Sequence, residues 1–128
     1  MIAILSLFNN YKKIVAILPS INFVAAANII YLLGGKIVFC DINENTGMVD
    51  DKAFSNCLKF CKSKNLKPNL FIPIHYAGNV CDLKRISKKF KKENIKIIED
   101  GCHSFGSSFI ENKTKVPVGK SKYSLITT

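Results

Sequence analysis

The residues best able to do chemistry in this chain of 128 residues lie where apolar runs end. The stretch "IIEDGCHSFGS", residues 97–107, places Asp100 directly after apolar residues and His103 three residues later. A carboxylate in this position either caps and solvates a strand end or pairs with a cation, a metal or a charged ligand. A histidine there is either a hydrogen-bonded structural residue or a ligand contact. The residues alone leave these alternatives open.

Other polar and aromatic residues follow two further apolar runs. His75 and Tyr76 end the run "NLFIPIH", and Asn22 and Phe23 come just after "LPS". Phe23 is either a core aromatic residue or a ring exposed for stacking. The histidines and carboxylates lack a ligand spacing such as H-x-x-x-H, so we expect no metal site. No G-x-G-x-x-G, G-K-[ST] or G-x-S-x-G motif is present, which argues against dinucleotide, P-loop and α/β-hydrolase chemistry.

Charge and cysteine content narrow the class of protein. The net charge of +10 comes almost entirely from lysine, with Arg85 as the one arginine. Phosphate and base recognition favours arginine, and the cluster "KRISKKFKKE" fits the solvated face of a helix, so we expect no nucleic-acid partner. The five cysteines lack C-x-x-C spacing, which indicates reduced thiols in a cytoplasmic protein. No apolar run approaches the roughly 20 residues that span a bilayer, and we interpret "MIAILSLFNNYKK" as a helix remnant, not a signal peptide.

Four apolar runs must position the polar residues. They cover residues 13–18, 36–42, 69–75 and 95–100, and they are continuous and β-branched rather than alternating. This pattern is typical of strands that are buried on both faces of a parallel sheet. Pro73 lacks the amide hydrogen that a ladder needs, so the third strand is expected to lose regular pairing near its end.

Three segments between or after these runs have helical periodicity. The first covers residues 22–33 and ends before Gly34, as helices often end before a glycine. The second begins near Asp50 or Asp51, and the third begins after Asp82, an N-cap residue. The positions expected to face the core are Phe23, Ala27, Ile30 and Tyr31, then Phe54, Cys57, Leu58 and Cys61, then Leu83, Ile86 and Phe90.

Alternating strands and helices predict an α/β fold of one domain. The expected architecture is a parallel sheet with helices on both faces. Ligands bind such folds at the carboxyl ends of the strands. These ends carry Pro19-Ser20, Asp41, His75-Tyr76 and the segment from Asp100 to His103.

Four stretches, taken in order, resemble one family. They are "LPSINFVAAANIIYLLGGKIVFCDINENTGMV", "IPIHYAGNVCDLKRISKK", "IKIIEDGCHSFGS" and "VGKSKYSLITT". Over nearly its whole length the chain resembles the large domain of the DegT/DnrJ/StrS family of pyridoxal-phosphate-dependent sugar aminotransferases. The resemblance implies part of a type I PLP-transferase large domain, with a parallel or mixed sheet and helices on both faces.

The resemblance also assigns roles to residues. Asp100 matches the aspartate that pairs with the pyridine nitrogen of pyridoxal 5'-phosphate (PLP), where a carboxylate keeps the ring protonated as an electron sink. His103 matches the residue near the cofactor's phenolic oxygen, and Phe23 matches the aromatic residue that stacks on the ring. Three further residues are expected as substrate contacts at the rim: Asn22, His75 and Tyr76.

Some parts of the family's large domain are expected outside residues 1–128. The resemblance places the Schiff-base lysine beyond Thr128, in a "FSFHP.K"-like stretch after "SLITT", and Lys120 and Lys122 lie too early to replace it. It therefore assigns no catalytic residue within 1–128. It places before "MIAILSLFNN" a turn of glycine, threonine or serine and a small residue, whose helix N-terminus cradles the cofactor phosphate, and it places a small domain after the large one. We expect a partial cofactor-binding domain that is inactive alone and binds the cofactor weakly at best.

The resemblance implies amino transfer from an amino acid, usually glutamate, to a keto sugar nucleotide, in amino-sugar and polysaccharide biosynthesis. The stretches "IHYAGN.CD" and "IIEDGCHS" are similar to members that aminate UDP-linked 4-keto-6-deoxy sugars. Full-length members form homodimers. Two alternatives stay open: a sugar dehydratase of the same family, in which histidine replaces the lysine, and a non-enzymatic basic α/β binding module.

Overall fold

A five-stranded parallel sheet organises the chain. Four of its strands lie in the predicted apolar runs, and the fifth, at residues 126–127, was not predicted. The computed structural model describes residues 2–128. Its strands are β1 (Val15–Pro19), β2 (Lys36–Cys40), β3 (Leu70–Phe71), β4 (Lys96–Glu99), β5 (Ser108–Glu111), β6 (Thr114–Pro117) and β7 (Ile126–Thr127). The sheet has the order β2-β1-β3-β4-β7, while β5 and β6 form a separate antiparallel pair.

Four α-helices accompany the strands: α1 (Ile2–Leu7), α2 (Val24–Leu32), α3 (Asp51–Ser63) and α4 (Leu83–Lys92). The predicted starts of α3 and α4 are confirmed. Asp50 Oδ1 accepts a hydrogen bond from the amide of Ala53 at 2.8 Å, and Asp82 Oδ1 accepts one from the amide of Arg85 at 3.1 Å. Gly34 lies in the left-handed region, with φ at +76°, where α2 ends. No helix in residues 2–128 is long and apolar enough to cross a membrane.

Two apolar cores lie on opposite faces of the sheet. Successive strand residues point to opposite faces, so Ile17 of β1 packs on the α3–α4 side while Ala16 and Leu18 pack on the α1–α2 side. In α4 the residues predicted to face inward, Leu83, Ile86 and Phe90, are all buried. The helices therefore cover both faces, as the fold class requires.

The structure corrects the predicted inner face of α2. Ile30 is buried and Ala27 packs beside it, but Tyr31 and Phe23 are 75% and 70% exposed. The helix is apolar on nearly all sides, so periodicity alone did not define which stripe packs on the sheet. Phe23 precedes the first turn and has an extended backbone, which turns its ring away from the core.

The sequence predicted the short pairing of β3 but not the β5–β6 hairpin. Pairing of β3 is regular only over Leu70–Phe71, and the expected loss of pairing near Pro73 is confirmed. The β5–β6 hairpin was not predicted. Its turn residues Asn112 and Lys113 both have positive φ, as a two-residue hairpin turn of this kind requires. Asparagine is favoured in such turns, so Asn112 was the residue in the sequence that could have indicated the hairpin.

The order of the strands creates a crevice between β1 and β3. Helix α2 leads from β1 to β2 on one face, and α3 then leads back past β1 to β3 on the other face. The chain leaves β1 toward the α1–α2 face and leaves β3 toward the α3–α4 face. Open α/β sheets bind ligands at such a switch point, outside the carboxyl ends of the strands.

Candidate functional site

Asp100 lies at the carboxyl end of β4. Its amide donates to the carbonyl of Pro73 at 2.8 Å, and its own carbonyl accepts from the amide of His75 at 2.9 Å. One carboxylate oxygen, Oδ1, accepts from the amide of Cys102 at 3.2 Å. Within residues 2–128 no lysine, arginine or histidine lies within ion-pair distance of this carboxylate. Asp100 is thus a fixed acid with bonding capacity left for a ligand.

The carboxylate changes the chemistry of its neighbour Cys102. A hydrogen bond to Asp100, and then the negative charge of that side chain, raise the pKa of the Cys102 thiol above its ordinary value. Cys102 is exposed, whereas the other four cysteines are buried. Its thiol therefore reports on the position and charge of Asp100.

Tyr76 and His103 lie together between the loops after β3 and β4. Their ring centroids are 5.7 Å apart at an angle of 49°, and the His103 side chain is exposed. Ser107 Oγ donates to the carbonyl of Gly78 at 2.9 Å, which ties the two loops together. A Cβ at Gly47 would lie 3.1 Å from Tyr76 Cδ1, so the loop before α3 supports the tyrosine ring from behind. The structure thus brings Tyr76 and His103 to the same edge as Asp100.

Phe23 and Asn22 follow β1 at the same edge of the sheet. The Phe23 ring is exposed, which places it outside the core. Both polar atoms of the Asn22 amide are buried and make no hydrogen bond to any residue of 2–128. A cavity of about 220 Å³ beside them is also lined by Ser20 and Phe39. An amide without a partner next to an exposed ring indicates a place where a polar, flat ligand could bind.

His75 is placed differently from the prediction. It was expected at the rim as a substrate contact, but its side chain is 0% exposed. Its Nε2 lies 2.6 Å from Oε2 of Glu99, and its Nδ1 accepts from the amide of Cys81 at 3.1 Å. Both ring nitrogens are occupied by the protein, so no ring atom is left for a substrate in this conformation.

Glu99 is the residue that sequence reasoning missed. It is 0% exposed, and burial alone would raise the pKa of its carboxyl. The interaction with His75 opposes this effect, and the pKa of Glu99 lies below its ordinary value. Its signal in the sequence was an acid inside the apolar run "IIED", where a charge is kept only if it finds a partner.

Thr128 lies at the same carboxyl edge, directly after β7. Its amide donates to the carbonyl of Glu99 at 2.9 Å, and its own carbonyl accepts from the amide of Gly101 at 2.8 Å. Thr128 is therefore bonded to the residues directly before and after Asp100, which places it beside Asp100 in the sheet. A segment that continued from Thr128 would therefore start beside Asp100. The Schiff-base lysine that the resemblance places beyond Thr128 stays a prediction.

Two further clefts lie away from these residues. One, of about 400 Å³, lies between the start of α4 and the β5–β6 hairpin, and Glu99, Glu111 and Tyr123 are among its lining. The other, of about 610 Å³, lies where α3 and α4 end and is bordered by Lys59 and Lys92. Neither includes Asp100, His103 or Phe23.

Comparison with known proteins gives the family. The model of the DegT/DnrJ/EryC1/StrS aminotransferase family matches residues 1–121. The chain belongs to this family. An aminotransferase of the family from Brucella abortus is 25% identical, with a TM-score of 0.73 over 84% of this chain and 28% of its own. The Helicobacter pylori aminotransferase PseC, involved in the biosynthesis of pseudoaminic acid, is 27% identical, with a TM-score of 0.66 over 85% of this chain and 29% of its own.

A third solved structure of the same fold contains a cofactor. It is NtdA from Bacillus subtilis with bound PMP, 24% identical, with a TM-score of 0.68 over 90% of this chain and 23% of its own. The chain spans less than a third of the length of each of these three proteins. NtdA and this chain share a fold, and the bound PMP belongs to the NtdA structure.

The residues of this family member fit a pyridine cofactor in their chemistry. An acid, an exposed aromatic ring and a histidine gather at the carboxyl edge, and the Asn22 amide beside them lacks a partner within 2–128. Asp100 follows Ile98 at the strand period of two, so it points to the face that carries α2 and Phe23. Strands β1 and β4 are separated by β3, so the two ends lie about 10 Å apart. An aromatic ring system could lie between them.

Proposed function

We propose that this chain forms part of the cofactor-binding domain of a PLP-dependent sugar aminotransferase. The reaction would move an amino group from an amino acid, with glutamate as the expected donor, to a keto sugar nucleotide. Family membership supports the reaction class. The observation that carries the proposal is Asp100, fixed by backbone bonds at the end of β4 with no cation paired to it within residues 2–128.

The residues at this edge would each do one task. PLP, when bound, supplies an electron sink for the carbon atom from which a proton is removed. Asp100 would hold a proton on the ring nitrogen, because an adjacent carboxylate favours the cationic form. Phe23 would stack on the ring and exclude water from it. His103 would donate a hydrogen bond to the phenolic oxygen.

The sugar would bind at the rim formed by the loops after β1 and β3. Tyr76 is partly exposed and rests on Gly47, so it offers a firm surface to a sugar. Asn22 offers a donor and an acceptor that lack protein partners within 2–128. The likeness to PseC, which acts in pseudoaminic acid biosynthesis, supports a keto sugar as the acceptor. We further propose that the whole protein forms a homodimer, acts in the cytoplasm and contributes to polysaccharide synthesis.

The test is binding of pyridoxamine 5'-phosphate, PMP, followed by NMR on the isotope-labelled chain. PMP has an amine in place of the aldehyde, so it cannot react with the many surface lysines. We expect millimolar PMP to shift the amide signals of Asp100, His103 and Phe23. Asp100→Asn should weaken binding about tenfold, because a neutral amide no longer stabilises a protonated ring.

Asp41→Asn is the matched control, since Asp41 is likewise an acid at a strand end, after β2, and is exposed. This variant should bind PMP as the original chain does. If the two variants lose affinity equally, or if PMP shifts no signal at the carboxyl edge, the assignment of Asp100 to the ring nitrogen is wrong.

A further inference from the structure

A buried hydrogen-bonded pair of side chains lies directly beside Asp100 in the sheet. His75 and Glu99 are both fully buried, and their side chains meet at 2.6 Å between Nε2 and Oε2. Glu99 is the residue before Asp100 in β4, and His75 is the residue whose amide donates to the Asp100 carbonyl. The same two chain segments are therefore joined twice, once by backbone and once by side chains.

The hydrogen bonds of His75 fix the direction of its ring. The amide of Cys81 donates to Nδ1 at 3.1 Å, so Nδ1 carries a lone pair. The ring proton is then on Nε2 and is donated to the Glu99 carboxylate. A ring held at both nitrogens cannot rotate without breaking one of these bonds, so the pair sets the distance between the loop after β3 and the end of β4.

The backbone alone holds this part of the sheet weakly. Pro73 has no amide hydrogen to donate, and regular pairing of β3 with β4 covers only Leu70 and Phe71. Beyond these residues the strands are joined by a single bridge between Ile74 and Asp100. The side-chain pair lies at the position where further ladder bonds would otherwise hold the two strands.

We propose that His75 and Glu99 are positioning residues that fix the Asp100 carboxylate from the opposite face of the sheet. Successive strand residues point to opposite faces, so Glu99 lies on the α3–α4 side while Asp100 points to the α1–α2 side. Apolar residues of similar volume would fill the same space without desolvating a charge, so the polar pair serves geometry rather than stability. The inference rests on the proposed function only in assigning the ring nitrogen to Asp100.

The Cys102 thiol gives a readout that needs no cofactor. Its pKa is raised because Asp100 lies against it, so a displaced carboxylate would increase the thiolate fraction and the rate of alkylation by iodoacetamide. In the double variant His75→Leu/Glu99→Met we expect Cys102 to react roughly threefold faster or more at neutral pH. The amides of His75 and Asp100 should also exchange with deuterium faster. An apolar pair of this volume should preserve the fold.

The conservative variant His75→Gln is the rescue control. Its amide group can donate to Glu99 and accept from the Cys81 amide, so Cys102 should react at the original rate. The remaining buried thiols report on the fold, because global unfolding would expose them all. A double variant with protected buried thiols and an unchanged Cys102 rate would overturn the proposal.

Glu99→Gln decides the question if the double variant unfolds. It keeps the shape of the side chain and weakens the hydrogen bond by removing its charge, so Cys102 should react measurably faster. An unchanged rate and unchanged exchange at Asp100 would refute the positioning role. None of these measurements uses PMP, so a failure of the PMP test leaves this result intact, and the reverse also holds.

Discussion

At the scale of single residues, two acids that are neighbours in the chain, Glu99 and Asp100, have different environments at the carboxyl edge of the sheet. Glu99 is buried against a histidine and holds a fixed bond, whereas Asp100 is partly exposed with no cation paired to it in the part of the chain that the structure describes. Alternation along β4 sends the two side chains to opposite faces. One acid therefore builds the site and the other is available to a ligand.

The substitution Asp100→Asn should accelerate alkylation of Cys102. Asp100 raises the pKa of that thiol through a hydrogen bond and through its charge, and asparagine removes the charge. The pKa then falls toward its ordinary value of 9.0, so more thiolate is present at neutral pH. We expect an increase of about threefold in the rate with iodoacetamide, measured by mass spectrometry of the Cys102 peptide.

Asp41→Asn serves again as the control, because Asp41 follows a different strand. It should leave the Cys102 rate unchanged. A slower reaction in Asp100→Asn would show that the acid activates the thiol, which is the reverse of the effect expected here.

The sequence placed Asp100 and His103 at the end of a buried strand, where their roles stay predictions, but it did not show the partner of His75. An acid in "IIED" signals a buried charge that needs a counterpart, yet 24 residues separate it from His75 along the chain. Only the pairing of β3 with β4 brings the two together. The rim position predicted for His75 was wrong because the ring turns inward to this acid.

At the scale of elements, local signals defined the helix starts well. Asp50 accepts from the Ala53 amide and from the Asn43 side chain, and these bonds lower the pKa of Asp50 below its ordinary value of 3.8. An N-cap of this kind satisfies donors that the first turn leaves open. This chemistry is local, so it could be predicted from sequence.

Asp50→Ala should lower the free energy of unfolding by about 1 kcal/mol at neutral pH. Because the pKa is lower in the folded state, the contribution is present above pH 3.8 and is lost as the pH falls through the lower, folded-state value. Urea denaturation at neutral pH and again in acid, below that folded-state value, would measure both effects. The difference between the variants should shrink in acid.

Glu44→Ala is the control for this experiment, since Glu44 is exposed in the loop before α3. Its free energy of unfolding should stay within about 0.5 kcal/mol of the original chain. An equal loss in both variants would mean that the cap contributes nothing beyond a general charge effect.

At the scale of the whole molecule, one surface region remains strongly apolar. Val24 and Leu32 of α2 are 59% and 81% exposed, and Phe39 of the edge strand β2 is 61% exposed. Exposed apolar residues on a helix and on an edge strand favour association. The net charge of +10 opposes it, so association should depend on salt.

The double substitution Val24→Lys/Leu32→Lys should reduce self-association. We expect the original chain to form larger species as its concentration rises through tens of micromolar in about 0.15 M salt, where surface charges are screened over roughly 8 Å. The variant should shift toward the monomer in sedimentation velocity experiments.

Ile110→Lys on β5 is the matched control, because Ile110 is 71% exposed but lies on the separate hairpin. It should associate as the original chain does. A monomer at every concentration, with and without salt, would show that the region around α2 does not drive association.

The sequence by itself determined the order of β1 to β4 and of α2 to α4, the caps at Asp50 and Asp82, and the place of Asp100 after a buried strand. These follow from local rules of periodicity, capping and strand burial, which act within a few residues. The tertiary structure decided which face of α2 packs, that Phe23 stays exposed, and that His75 pairs with Glu99. Such choices depend on contacts between strands that are distant in the chain, because only the assembled sheet gives a buried acid its partner.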